Sequence, residues 1–591
     1  MNHYQQLKEV LNHIFELNKA DLDFGIYRIM NQKRKQVSEF VEKQLPKDIK
    51  MALSETQSSD KTELEKDLKS LHKTLTDAGI LPETSPKYNS LQERLQGIQN
   101  TDVIEQEVFS HLANFFRRYY KDGDFISMRR YKKDVYAIPY EGEEVKLHWA
   151  NHDQYYIKSS ENFKNYSFKI TDNQKVTFQL KEVSTEQNNN KTQGDAERRF
   201  AIYKELPVEE KAGELLLNFI YEPFPKATKQ ETLLQEAVAI LSQHIPANYT
   251  KVFTLSPTEK NNKRTVLEKH LNDYVAKNSF DYFIHKDLGG FLSRELDFYI
   301  KNEVLYLDDI NTQQTEFFVA QLSKIKAIKN VAQKIITFLA QIENFQKKLW
   351  LKKKFVLRSD YCITLDKIDS KYYPEICQNQ KQLTAWKKLF DINIQHPSEL
   401  EFEPFLVVDT QFFDETFKDR LLAEFENLDA ETDGLLINSE NFQALNLMQE
   451  KYQEKIDVTY IDPPYNTDAS PIMYKNSYRN SSWMSLMNDR LSVSIKLMSD
   501  AGILCVTIDD FQTNELVILM NDVFKKDNYL GTVVIRNNPS GRPTQSGLAI
   551  SHEYGHFYSK SESSKLMKMS RSEEHSKRYK ESDSKGKFMW E

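Results

Sequence analysis

Between Lys61 and Ala78, leucines recur at Leu64, Leu68, Leu71 and Leu75 amid charged positions. That spacing predicts a packing or coiled-coil helix with one solvated face. Residues 1–115 read as a mainly helical region suited to scaffolding or dimerisation, and a second long helical run is predicted over Leu322–Leu351. Further along, the period changes. Lys455–Ile461 is β-branched and aromatic and predicts a strand, stopped where Pro463 and Pro464 remove two backbone donors. Helical spacing returns at Trp483, Met487, Leu491, Ile495 and Met498, a stripe that predicts a core face rather than a site. Gly502–Asp510 reads as a buried strand ending in two acids, Glu515–Phe524 as a helix, and Tyr529–Ile535 and Ser551–Lys560 as two more strands.

Strand character also returns at Phe405–Thr410, so residues 401–560 are expected to form an α/β domain. In front of it, 116–200 reads as a β-rich region and 201–400 as mixed α+β containing the long helix. The stretch from Phe115 to Ile170 interleaves cations with aromatics, as in Phe116-Arg117-Arg118-Tyr119-Tyr120 and Met128-Arg129-Arg130-Tyr131-Lys132-Lys133. Two readings stand side by side: phosphate contact with base stacking, or β-structure with cationic outer faces. Ser184–Asp195, centred on Gln187-Asn188-Asn189-Asn190, reads as a surface loop. His285 and Asp287 lack metal-ligand spacing to a second cluster and are expected to be structural, so no metal site is expected.

With 591 residues the chain has room for three or four cores of ordinary size. Three cysteines, Cys362, Cys377 and Cys505, are too few and too scattered for a disulfide framework or zinc finger. No apolar run approaches the roughly 20 residues that cross a bilayer, and Met1–Gln6 does not open like a signal peptide. A cytoplasmic protein without a membrane partner is the expectation. The net charge of -7 leaves DNA binding open, because local basic surface supplies phosphate contacts.

The sharpest chemistry lies in Tyr460-Ile461-Asp462-Pro463-Pro464-Tyr465-Asn466-Thr467-Asp468. Ligands of open α/β sheets bind at strand carboxyl ends, where this segment leaves a carboxylate and an aromatic ring. Adenine N6 is a poor nucleophile because its lone pair is delocalised into the ring. Asp462 Oδ and the Pro463 carbonyl could accept the two amine hydrogens and localise that pair, with Pro464 stiffening the carbonyl. Tyr465 could stack on a base rotated out of the duplex. A plain strand-ending turn is the alternative for the bare tetrapeptide.

With its neighbours, the segment resembles the β-group N6-adenine DNA methyltransferases, in particular the modification (Mod) subunits of Type III restriction systems. Gly434–Leu445 looks like the strand and turn that precede the family's catalytic motif. Met473–Tyr478 looks like its aromatic segment, and Ser551–Lys560 like its His-Glu-Tyr strand, with Gly555 and His556 at usually aliphatic positions. The resemblance implies a Rossmann-like methyltransferase domain, partial here, and transfer of a methyl group from S-adenosylmethionine. It implies catalytic roles for Asp462, Pro463, Pro464 and Tyr465, and cofactor contacts from Glu440 or Asn441 together with Asp462. A helix N-cap at Asn438 or Ser439 is the alternative use of the upstream turn. Asp509 could shape the base pocket, or Asp510 could cap a helix; His552 is a further candidate ligand or base. N4-cytosine enzymes usually carry Ser, and protein-glutamine enzymes Asn, where this chain has Asp462.

Implied partners are duplex DNA, a second copy of the chain and a helicase-nuclease restriction subunit. In the β-group the Phe-x-Gly-x-Gly cofactor loop follows the recognition region. This sequence ends at Glu591 before such a loop, 561–591 reads as the start of a recognition region, and Leu288-Gly289-Gly290-Phe291 has the wrong spacing. The expectation is therefore a fragment, or an enzyme completed by a second polypeptide, with little activity alone. The alternative is a non-catalytic DNA-binding or assembly subunit.

Overall fold

The structure is a computed structural model describing residues 3–15, 21–22, 31, 34–98, 101–121, 124–125, 149–157, 165–171, 173–181, 196–211, 213–225, 227–258, 261–279, 282–305, 315–466, 479–537, 550–564, 566, 581–584 and 586–588. The predicted Met128–Lys133 cluster, the Gln187–Asn190 loop, the Met473–Tyr478 segment and most of 561–591 lie outside these residues. The chain forms two compact units, one of 1–352 with 448–591, the other of 353–447.

In the first unit the leucine stripe of 61–78 belongs to a helix spanning Leu45–Asp77, and the second long run to a helix spanning Thr315–Leu351. With His3–Ile14, Thr101–Arg117 and Leu288–Tyr299 they bury one helical core. Phe115, Phe116 and Tyr119 sit inside that core, and Arg118 lies 4.6 Å over the Tyr299 ring and pairs with Glu303. This part of the aromatic and basic stretch is packing, because a helix running to Arg117 turns its rings inward. A separate core joins a five-stranded sheet within 166–225 to helices Gln230–His244 and Val266–Ser279.

Two short strands, β1 (Gln154–Ile157) and β2 (Tyr282–His285), pair antiparallel. His285 is buried and its Nδ1 accepts the Asp287 N–H, while Asp287 caps the following helix through Gly290 N. A Cβ on Gly289 would come within 3.1 Å of Ala340 Cβ, so the Gly289-Gly290 pair serves a cap and a close helix crossing.

The C-terminal sheet has the order β3-β4-β6-β5, with β3 (Ile456–Ile461) parallel to β4 (Met498–Ile508) and β6 (His552–Ser559) antiparallel to both β4 and β5 (Tyr529–Arg536). Helix α1 (Arg479–Leu497) makes the crossover that a parallel pair requires. Trp483, Met487, Leu491 and Met498 are fully buried, with Ile495 packed against them, and α2 (Thr513–Phe524) completes the covered face. The β3–β4 register shifts after Ile456, where a Cβ on Gly502 would stand 3.0 Å from the Ile456 carbonyl oxygen. Glycine permits that approach.

The 353–447 unit has its own core around Trp386, Ile376, Val408 and Phe417. Strand character near Phe405–Thr410 appears as the short strand Val407–Asp409 paired with Cys362–Thr364. The predicted strand at Gly434–Asn438 does not form a ladder, and Leu435 and Leu436 are exposed. An apolar run becomes a strand only where a sheet edge pairs with it.

Candidate active site

Asp462 follows directly on β3. The parallel register pairs Tyr460 with Cys505 and Ile461 with Val506, so the next position on β4, Thr507, comes opposite Asp462. Thr507 is buried, and its hydroxyl donates to Asp462 Oδ1 at 3.1 Å, with the Ile461 carbonyl at 3.3 Å and the Tyr460 hydroxyl at 3.4 Å. A hydroxyl has one proton, so Thr507 donates on the shorter carboxylate contact and can accept from the Tyr460 O–H.

The turn is held from a second side. Trp483 Nε1 on α1 donates to the Pro464 carbonyl at 2.6 Å, which leaves the Pro463 carbonyl as the turn's other acceptor beside Asp462. Asn466 closes the turn at φ 54°, a left-handed conformation that asparagine tolerates better than most residues, and is buried.

Tyr465 donates its hydroxyl to Glu553 Oε2 at 3.3 Å, and the other oxygen of Glu553 accepts from Asn537 Nδ2. Burial, with the charges of Asp462 and Glu553 and against hydrogen bonding from Thr507, pushes the Tyr465 hydroxyl far above its ordinary range, so it stays protonated. Its ring is thereby fixed at the hydroxyl end, with the carboxylate of Asp462 close by.

Among the other candidates, Asp509 is buried and accepts the Phe511 N–H at 3.0 Å. Asp510 does not cap α2: the helix begins at Thr513 behind Gln512, because the Asp509 turn delays it, and Asp510 instead accepts the Tyr554 hydroxyl at 2.8 Å. His552 Nε2 lies 2.9 Å from that hydroxyl and 3.8 Å from Asp510. His556 is buried between Thr513 and Thr532, with Nε2 at 2.8 Å and Nδ1 at 2.7 Å, and burial lowers its pKa, favouring neutral imidazole.

Glu440 and Asn441 belong to the 353–447 unit. Glu440, rather than Asn438 or Ser439, caps the helix Asn441–Tyr452, accepting the Gln443 N–H at 2.8 Å; Asn441 is the first helical residue. Sequence reasoning missed Thr507, Glu553 and the Trp483 indole. Glu553 sits inside the His-Glu-Tyr segment singled out for its family likeness, whereas Thr507 gave no signal without the strand register.

Residues 456–590 match the sequence profile of a family described as DNA methylase. The chain is 33% identical over 131 residues to a probable Type III restriction-modification enzyme HindVI Mod subunit of Haemophilus influenzae, covering 22% of this chain and 18% of that one. It is 33% identical over 153 residues to the Type II methyltransferase M.KpnI of Klebsiella pneumoniae, covering 24% and 36%. Against the Type III EcoPI Mod subunit of Escherichia phage P1 it is 27% identical over 156 residues, covering 21% and 24%. The chain thus spans about a fifth to a third of the length of these relatives. In this segment, the chain resembles the N6-adenine DNA methyltransferases, among them the Mod subunits of Type III restriction-modification enzymes.

Proposed function

We propose that the chain takes part in transferring a methyl group to adenine N6 in duplex DNA, as the modification component of a restriction-modification or phage-defence system. The observation that carries this is the Asp-Pro-Pro-Tyr turn at the carboxyl end of β3, with Asp462 oriented by Thr507 and Tyr465 anchored on Glu553. In this reading Asp462 and the Pro463 carbonyl accept the two amine hydrogens, so that the N6 lone pair turns toward the donor. The proton released on transfer passes to the Asp462 carboxylate and on to water. Tyr465 stacks on the extruded base, a contact worth about 1–3 kcal/mol. We read β3–α1–β4 as part of a Rossmann-like methyltransferase domain.

S-adenosylmethionine fits the chemistry of the residues at this end of the sheet. A sulfonium cation suits the Asp462 carboxylate and the faces of Tyr460 and Tyr465. When bound, it supplies the electrophilic methyl group. Glu440 and Asn441 are proposed for its adenosine, as the family resemblance implies. A helicase-nuclease restriction subunit, a second copy of the chain and a polypeptide completing the methylase are the proposed partners.

The test is methyl transfer from tritiated S-adenosylmethionine to duplex DNA lacking adenine methylation, with the product base identified after digestion. N6-methyladenine that disappears in Asp462→Ala supports the reading. Label on cytosine or protein contradicts it.

A further inference from the structure

Three polar side chains on α1 recur at one-turn intervals, Ser481, Ser485 and Asp489, and all three are used by segments more than 190 residues upstream. The Trp149 indole N–H donates to Ser485 Oγ at 2.8 Å, and Ser485 in turn donates to the Asn151 carbonyl at 2.6 Å. Asn151 N donates to Ser481 Oγ at 2.9 Å, and the Ser481 hydroxyl donates back to Asn151 Oδ1 at 2.8 Å. Lys286, just beyond β2, pairs with Asp489 at 2.9 Å. Asn151 and Ser485 have no exposed surface and Asp489 retains 6%.

A buried reciprocal network of this kind is costly to leave half-made, so it ties its members in one arrangement. Spacing of i, i+4, i+8 places the three side chains on one helical face. From the same helix Trp483 reaches the Pro464 carbonyl, and its ring shares a hydrophobic cluster with Trp149 and Tyr156. The match to the DNA methylase family begins only at residue 456, so this upstream face lies outside it.

We propose that residues 149–157, with Lys286, are a clamp on α1 that positions the Asp-Pro-Pro-Tyr turn through Trp483. These are positioning residues: none touches the reacting atoms. An upstream region that otherwise has no assigned role thereby becomes part of what holds Asp462 and the Pro463 carbonyl in place. The catalytic consequence rests on the methyltransferase reading, but the mechanical one does not.

Hydrogen exchange of the full chain tests the clamp directly. Ser485→Ala leaves the Trp149 N–H and the Asn151 carbonyl without their buried partner, and exchange in peptides covering Ile461–Asn466 should rise about tenfold or more. Asn151→Ala should do the same. Leu241→Ala, in the separate core over 166–279, should leave those peptides unchanged, which separates the clamp from general loosening. Should Ser485→Ala not fold, Trp149→Phe keeps an aromatic ring in the cluster while removing the indole donor and part of its volume, and a rise at Ile461–Asn466 is again expected. Exchange at Ile461–Asn466 within about twofold of the unsubstituted chain in the folded clamp variants overturns the proposal. In the transfer assay, the clamp variants should lose kcat with KM for S-adenosylmethionine little changed. Absence of any methyl transfer by the unsubstituted chain together with the products of its flanking reading frames would count against the functional reading and leave the exchange result standing.

Discussion

Replacing Thr507 by valine removes one oxygen and little else. Valine keeps the β-branched shape that suits β4, so the loss concentrates on the hydroxyl that donates to Asp462 Oδ1 at 3.1 Å. Hydrogen bonds to charged groups contribute about 1.5–3 kcal/mol. Asp462 is exposed while Thr507 is buried, and water can partly replace the lost donor, so the lower end applies. About 1.5 kcal/mol corresponds to roughly a tenfold fall in kcat. Because Asp462 is asked to accept an amine hydrogen in the transition state, KM for DNA and for S-adenosylmethionine should move less than about threefold. Thr507→Ser restores a hydroxyl at the same carbon and should recover most of the rate. The assay is initial-rate methyl transfer to unmethylated duplex DNA with the three proteins at matched concentration. A valine variant within about twofold of the unsubstituted chain, folded and monitored by its unfolding transition, would refute the orientation of Asp462 by Thr507.

Tyr465→Phe keeps the ring and loses the hydroxyl bond to Glu553; it should retain activity within about tenfold, whereas Tyr465→Ala removes the stacking face and should weaken productive DNA binding about 10- to 100-fold, read from KM for DNA. Trp483→Phe removes the donor to the Pro464 carbonyl and leaves space in a fully buried cluster, and should cost about 2 kcal/mol or more of stability, measured by denaturant unfolding. His556 has its pKa lowered by burial between two threonines. The unfolded chain therefore binds more protons below its own histidine pKa of about 6.5, and stability present above that pH is lost as pH falls through it. His556→Gln should flatten this part of the stability profile between about pH 5 and 7; an unchanged slope would refute it.

Much of the C-terminal architecture was legible because its signals are local. Pro463 and Pro464 end β3 wherever the chain goes, and the Trp483–Leu491 stripe marks a core face of α1, although Met484, Ser485 and Leu486 bury further faces of the same helix. What was not legible depends on contacts distant in sequence. Thr507 meets Asp462 through a parallel register that no local pattern announces, and the Ser481 and Ser485 bonds to Asn151 span more than 300 residues. The Gly434–Asn438 run has strand composition without a ladder, and Phe115–Tyr119 has the composition of a nucleic-acid surface while filling a helical core. In both, tertiary pairing overrode composition.

The central claim concerns one carboxylate. Expressing the chain from its native locus, flanking reading frames included, in a host without adenine methylation, and measuring N6-methyladenine in digested genomic DNA by mass spectrometry, tests it most directly. The account predicts N6-methyladenine with Asp462 intact and none above background with Asp462→Ala at equal protein level; undiminished N6-methyladenine in that variant would contradict it.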